Sequence, residues 1–230
     1  MKIQYLGHSA FLVTGSKTLL FDPFLTGNPK ATVTPYDLKP DFILVSHGHD
    51  DHFGDALDIS RHSDATIIAP NELALYCARR GALAHPMHIG GAHSFGDDLT
   101  VKLTSALHGS ALIEEGLSQY LGMPCGFLVK MDGKTLYFAG DTALTYDMKA
   151  VLGDRYDIDV AILPIGDNYT MGPEDAATAA KWLSPHIVIP MHYNTFPLIE
   201  QDVNAYREKV EAENEGMKVF ALNPGEILEI

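Results

Sequence analysis

Short apolar runs recur along the chain, separated by turn residues or by stretches with helical spacing. Ten of them read as strands: 3–6, 10–13, 18–21, 42–46, 66–69, 99–104, 126–130, 135–139, 160–164 and 187–190. Asp132-Gly133 between two of these runs is the signal of a tight hairpin turn, and Gly15-Ser16 separates the second and third runs. Helical patterns fill several of the gaps. The stretch 71–80 starts after Pro70 and stops at Gly81. The stretch 173–183 opens with Pro173, followed by Glu174 and Asp175, which suit the positive end of a helix dipole. A charged helix is expected over 201–214, ending at Gly216, and a short one begins around 53–57. Early strands joined by tight turns and later strands interspersed with helices predict an α/β protein with more than one sheet.

The length of 230 residues admits one large domain or two small ones, and 46% hydrophobic with 20% charged residues is ordinary for a globular protein. No apolar run approaches the ~20 residues that span a bilayer. The N-terminal segment lacks the apolar stretch of a signal peptide, so a cytoplasmic location is expected. Cys77 and Cys125 are the only cysteines; both read as small buried apolar residues. The net charge of −14 and the lack of any Lys/Arg-rich run argue against a phosphate-backbone partner. The eleven histidines change the picture, because they are not evenly spread.

Ser46-His47-Gly48-His49-Asp50-Asp51-His52 follows the apolar run 42–45. Three imidazoles with adjacent carboxylates would repel one another if protonated, and they need partners if buried. A divalent cation removes both problems, since neutral imidazole and carboxylate are good ligands for zinc, manganese or iron. In an extended loop His47 and His49 project to one side, and Asp51 and His52 follow after the chain turns. One segment could therefore serve two adjacent ions. Asp50 is an alternative to Asp51, though spacing favours Asp51.

His47-x-His49-x-Asp51-His52 resembles the signature of the metallo-β-lactamase superfamily, and the resemblance extends down the chain. Asp22 matches an early structural aspartate that supports the metal loop, His108 the third histidine, Asp141 the bridging carboxylate and His192 the last histidine. The resemblance implies one domain over residues 1–230, an αβ/βα four-layer sandwich of two mixed β-sheets with helices outside. It assigns His47, His49 and His108 to a first metal and Asp51, His52 and His192 to a second, with Asp141 bridging. The site then holds two divalent ions; zinc is expected, with Mn2+, Fe2+ and Ni2+ compatible. An aspartate at position 141, where the antibiotic-destroying members have cysteine, argues against a β-lactamase.

Gly7-His8-Ser9-Ala10-Phe11, Phe21-Asp22-Pro23-Phe24 with Gly27-Asn28-Pro29, and the segment Pro164 to Pro173 are similar to a branch of predicted metal-dependent hydrolases related to the bacterial ascorbate-6-phosphate lactonase. Three further candidates come from this resemblance. His8 either lines the site, where it could protonate a leaving group, or bonds backbone at a strand end. Asp167 sits near the metals or orients His192, unless it forms a turn. Asn28 lies on a loop over the pocket. His62, His85, His88, His93 and His186 fall outside the pattern and read as structural or exposed.

The expected function is hydrolysis by a hydroxide activated between two metals, with Asp51 orienting it. The first-choice substrate is a small lactone, ester or other acyl compound, in one version phosphorylated. A phosphodiesterase or nuclease is the alternative, and a non-catalytic metal-binding protein is a weaker one. The expected partner is a small molecule, with no nucleic acid and no membrane; relatives often assemble, so a homo-oligomer is compatible.

Overall fold

A computed structural model describes residues 1–114 and 116–230. In chain order its strands begin with β1 (Lys2–Gly7), β2 (Ala10–Thr14), β3 (Thr18–Phe21), β4 (Phe42–Leu44), β5 (Thr66–Pro70) and β6 (Ala84–Met87). There follow β7 (Ala92–Ser94), β8 (Leu99–Ser105), β9 (Ala111–Glu114), β10 (Leu117–Tyr120), β11 (Cys125–Met131) and β12 (Lys134–Phe138). The last are β13 (Val160–Pro164), β14 (Ile187–Met191), β15 (Lys218–Val219) and β16 (Ile227–Glu229). The α-helices are α1 (Asp50–Phe53), α2 (Ala56–Ser63), α3 (Asn71–Arg79), α4 (Pro173–Leu183) and α5 (Val203–Glu213).

Two seven-stranded sheets form, in the orders β16-β1-β2-β3-β4-β5-β6 and β15-β14-β13-β12-β11-β8-β7. Both are mixed in the same way. Pairing is antiparallel from β16 to β3 and parallel from β3 to β6. In the second sheet it is antiparallel from β7 to β12 and parallel from β12 to β15. Strands β9 and β10 make a separate hairpin.

The alternation of side chains along each strand explains the layering. In β11, Phe127, Val129 and Met131 join the cluster between the sheets, whereas Leu128 joins the cluster with α4 and α5. In β13, Val160 and Ile162 face inward and Ala161 and Leu163 face those helices. Strands buried on both faces read as continuous apolar runs, which is why they stood out in the sequence. Phe11 and Phe21 of the first sheet meet Phe127 and Phe138 of the second, with Phe21 and Phe138 ring centres 5.0 Å apart. Such aromatic pairs add about 0.5–1.5 kcal/mol each beyond their buried area. A third cluster packs the outer face of the first sheet against α2 and α3. Helix, sheet, sheet and helix are therefore stacked as expected.

Asp132 and Gly133 both take positive φ, 54° and 74°, the geometry of a type I′ hairpin turn. Helix α4 spans the expected 173–183; α5 is a little shorter than expected, capped by Asp202 accepting from the amides of Asn204 and Ala205. The helix expected from about residue 53 instead starts at Asp50, inside the histidine motif, and a second begins at Ala56. Strands β6, β7, β9, β10, β15 and β16 and a π-helical turn at Met148–Gly153 were not anticipated. Cys77 and Cys125 are buried and unpaired. No helix among the described residues is long and apolar enough to cross a membrane.

Candidate metal centre

The candidate ligands sit where strands end. His8 follows β1, Asp22 follows β3, His47 follows β4, His108 follows β8, Asp141 follows β12 and His192 follows β14. In open α/β sheets this edge, beyond the carboxyl ends of parallel strands, is where ligands bind. The chain must turn sharply there. His8, Asp22 and His192 adopt φ of 59°, 39° and 56°, a region that costs about 1–3 kcal/mol for such residues unless the surroundings enforce it. Gly140 takes φ 61°, and a Cβ on it would lie 2.7 Å from the Cys125 carbonyl oxygen, so only glycine fits just before Asp141.

Two groups of side chains converge. The first is His47, His49 and His108; the second is His8, Asp51, His52 and His192. In the first, His47 Nε2 lies 3.0 Å from His49 Nδ1. Asp141 stands between the groups: its Oδ2 is 3.5 Å from His108 Nε2, 3.2 Å from His52 Nε2 and 3.1 Å from His192 Nε2. Asp51 Oδ2 is 3.7 Å from His192 Nε2 and 3.9 Å from His52 Nε2. Asp50, one position earlier, is exposed and joins neither group.

Asp22 supports both groups from behind. Its Oδ1 accepts the Ser46 amide at 2.7 Å, and its Oδ2 accepts the Ser46 hydroxyl at 2.6 Å and meets His52 Nδ1 at 2.7 Å. Ser46 Oγ also meets His47 Nδ1 at 2.9 Å. Because the serine proton goes to the carboxylate, Ser46 Oγ accepts from His47 Nδ1–H. Both His47 and His52 thus carry a proton on Nδ1 and turn Nε2 toward the centre, the arrangement that orients imidazoles for a metal.

The electrostatics differ between the groups. Burial pushes His47, His49 and His108 below the ordinary histidine pKa, His47 furthest. Burial acts on His52 and His192 in the same direction. There the carboxylates outweigh it: Asp141, Asp51 and Asp22 hold His52 well above its usual value, and Asp141 with Asp51 raises His192 to about 9. Burial likewise opposes ionisation of Asp51 and Asp141, but the neighbouring histidines hold both carboxylates low. Burial lowers His8 to about 4 despite its bond to Asp51.

His52 Nε2, His192 Nε2 and Asp141 Oδ1 are buried without a hydrogen-bond partner. Their contacts across the centre are close but not aligned as hydrogen bonds. Orphaned buried polar atoms are costly, about 1–3 kcal/mol each. A cation ligated by imidazole nitrogen and carboxylate oxygen would satisfy all three, so the residues fit a divalent metal.

A family model described as the beta-lactamase superfamily domain matches residues 2–192. The chain belongs to the beta-lactamase superfamily. A UPF0173 metal-dependent hydrolase of Desulforamulus reducens is 55% identical over 234 residues, and one of Pelotomaculum thermopropionicum is 53% identical over 231, each alignment covering 100% of both chains. Igni18, a metallo hydrolase from Ignicoccus hospitalis, is similar in structure with a TM-score of 0.89 and 38% identity, over 100% of this chain and 98% of that one. The architecture is the metallo-β-lactamase fold, and the protein is a metal-dependent hydrolase.

Among the candidates carried from sequence, His47, His49, Asp51, His52, His108, Asp141 and His192 come together in this superfamily member. His8 does too. It is fully buried, with Nε2 3.1 Å from Asp51 Oδ2 and Nδ1 2.9 Å from Thr195 Oγ1. One expectation needs correction. Asp167 is exposed and makes no hydrogen bond to His192; with φ 61° it forms a turn, its amide donating to the Met171 carbonyl and its carbonyl accepting from Thr170. Asn28 does not present its amide to the pocket. Its Nδ2 donates to the Phe24 carbonyl and its Oδ1 accepts the Lys30 amide, so it braces its own loop. Of the remaining histidines, His62, His88, His93 and His186 are exposed and His85 is half-buried beside His93.

Sequence reading missed Ser46, Thr195 and the pocket wall. Ser46 adjoins the motif, and a hydroxyl between a buried aspartate and a histidine is a detectable pattern once Asp22 is suspected. Thr195 carries no sequence signal. A cavity of about 390 Å3 opens beside His49, Asp51 and His192, faced by Ile113, Tyr169 and Phe196. Among the described residues, no lysine or arginine lines it.

Proposed function

We propose that this hydrolase holds two divalent cations, one among His47, His49 and His108, the other among Asp51, His52 and His192, with Asp141 between them, and that it cleaves a small uncharged lactone, ester or other acyl compound. The observation that supports the dinuclear reading is the reach of one buried carboxylate oxygen, Asp141 Oδ2, to both donor groups: 3.5 Å from His108 Nε2 in the first, and 3.2 and 3.1 Å from His52 Nε2 and His192 Nε2 in the second. Zinc suits this imidazole-rich donor set, with manganese, iron and nickel compatible.

Bound there, the cations would lower the pKa of a shared water toward about 7 and polarise the bond to be broken. The protein does the rest. Asp141 is buried, whereas the Asp51 side chain is 35% exposed and faces the cavity, so orienting the attacking water falls to Asp51. Ile113, Tyr169 and Phe196 give the substrate an apolar wall. His8 does not supply the leaving-group proton: it is fully buried, and a pKa near 4 leaves it neutral at neutral pH. That proton returns through a water.

The substrate class follows from the lining. The cations could take a reacting phosphoryl group themselves, but a further phosphate or a nucleic-acid backbone beside them calls for arginine or lysine. Among the described residues the cavity has neither, Asp50 adds an acidic group to its lining, and the whole chain carries a net charge of −14. These features favour the uncharged acyl compound over its phosphorylated version and over a phosphodiester. Incubating the zinc-loaded protein with a lactone, a thioester and a phosphodiester reporter tests the reading. Turnover of the acyl reporters is expected, with a Phe196→Ala variant raising KM while leaving zinc content unchanged. A preference for the phosphodiester would overturn the substrate assignment.

A further inference from the structure

We infer that Thr195 and His8 form a hydrogen-bond relay that fixes the Asp51 carboxylate, with His8 acting as an N–H donor to Asp51 and not as a further metal ligand. The inference rests on the proposed place of Asp51 beside the second cation. By distance alone His8 belongs with Asp51, His52 and His192, and all four could surround one ion. Hydrogen bonding separates them. His52 and His192 each leave Nε2 buried and without a partner, as ligands awaiting a cation do. His8 has both ring nitrogens engaged: Nε2 with Asp51 Oδ2 at 3.1 Å and Nδ1 with Thr195 Oγ1 at 2.9 Å.

The identity of the acceptors sets the direction. A carboxylate oxygen can only accept, so His8 Nε2 carries the hydrogen. In the neutral ring Nδ1 then holds the lone pair; the Thr195 hydroxyl has a second acceptor in the Tyr193 carbonyl at 3.5 Å, and the shorter 2.9 Å contact gives its hydrogen to His8 Nδ1. The relay runs from Thr195 O–H to His8 Nδ1, and from His8 Nε2–H to Asp51 Oδ2. Thr195 selects the tautomer of His8, and His8 selects the rotamer of Asp51. The nitrogen that could have met a metal is committed to the carboxylate.

The backbone holds this relay in place. His8 sits at φ 59°, and its carbonyl accepts the His192 amide at 2.9 Å and the Tyr5 hydroxyl at 3.2 Å. Phe24 and Phe196 meet its ring edge-on at centroid distances of 5.8 and 5.7 Å. One residue therefore ties the end of β1 to the loop after β14 and to α1. Asp51 itself lies on a helix of only four residues and is partly exposed, so before a cation binds His8 is the side chain nearest to its carboxylate oxygen among those that face it, at 3.1 Å against 3.7 Å for His192 and 3.9 Å for His52. Partners of this kind, one step behind a ligand, are worth about 10–100-fold in affinity or activity when removed.

Nuclear magnetic resonance of protein labelled with 15N-histidine reads the tautomer of His8 directly, its signal identified by its loss in His8→Gln. The relay predicts a proton on Nε2 and a free Nδ1 both without zinc and with it. Thr195→Val should release the ring into a mixture of tautomers and lower kcat on the lactone reporter about 10–100-fold, with KM and zinc content unchanged. Thr195→Ser should restore both. A zinc-loaded spectrum with the proton on Nδ1 and a metal-shifted Nε2 would overturn the inference by making His8 a ligand. So would a Thr195→Val spectrum and kcat identical to those of the parent. The zinc-free spectrum judges the relay alone. An Asp51→Ala variant that keeps its full zinc complement would instead overturn the ligand role of Asp51.

Discussion

The His47–His49–His108 group and the Asp51–His52–His192 group lie side by side and share Asp141, yet their surroundings push the histidine pKa values in opposite directions. The first is three imidazoles whose burial keeps them neutral. The second surrounds its imidazoles with carboxylates that hold their protons in the metal-free protein. Metal ligands must be deprotonated, so binding at the second group displaces protons and binding at the first displaces few. Placing carboxylates beside imidazoles strengthens the eventual hold on a cation and makes loading depend on pH. Leaving imidazoles alone gives a ready site that carries no charge of its own to attract the ion.

Four substitutions or titrations would break or sharpen this contrast. The largest effect is expected from Asp141→Ala, because this carboxylate is the one that reaches His108, His52 and His192. Turnover should fall to background with the fold retained by circular dichroism; full activity would remove the bridge from the account. Asp22→Asn should be next. It weakens the support of His52 directly and of His47 through Ser46. Zinc affinity measured by chelator competition should drop about 10–100-fold at both groups. A loss confined to one would show that the support is not shared.

The pH dependence of metal binding is a subtler discriminator. His192 is raised to about 9 and His52 is raised well above the usual histidine value, so affinity at the second group should climb as pH rises from neutrality toward 9. The first group's histidines are lowered from 6.5, so its affinity should be flat over the same range. Zinc titrations at a series of pH values would show one rising and one level constant; two parallel curves would erase the contrast. The smallest effect concerns stability without metal. His8 titrates at about 4 when folded against 6.5 ordinarily, so between those values the folded state binds fewer protons than the unfolded chain. Stability from this residue is therefore present above 6.5 and is lost as pH falls toward 4. Urea midpoints of His8→Gln should vary less steeply than the parent's across that window.

Much of this was legible in the chain. The sandwich strands are buried on both faces, so their apolar runs are continuous and bounded by clear turns such as Asp132-Gly133. The unanticipated strands lack that signature: β7 and β10 are exposed along their length, β15 has two residues, and β6 carries Pro86 at a sheet edge. The converging side chains were legible because His47, His49, Asp51 and His52 are compressed into one loop and His108, Asp141 and His192, with Asp22 behind them, each follow a strand. Thr195 was not, because its contact with His8 spans 187 positions and depends on the turn after β14. Asp167 misled because it shares a segment with residues near the site, while local backbone bonding at φ 61° commits it to a turn.

The most direct test is anomalous scattering at the zinc edge from crystals of the zinc-loaded protein. Two peaks are expected, one coordinated by His47, His49 and His108 and the other by Asp51, His52 and His192, with Asp141 touching both and His8 touching neither. A single peak, or none within reach of these side chains, would contradict the account.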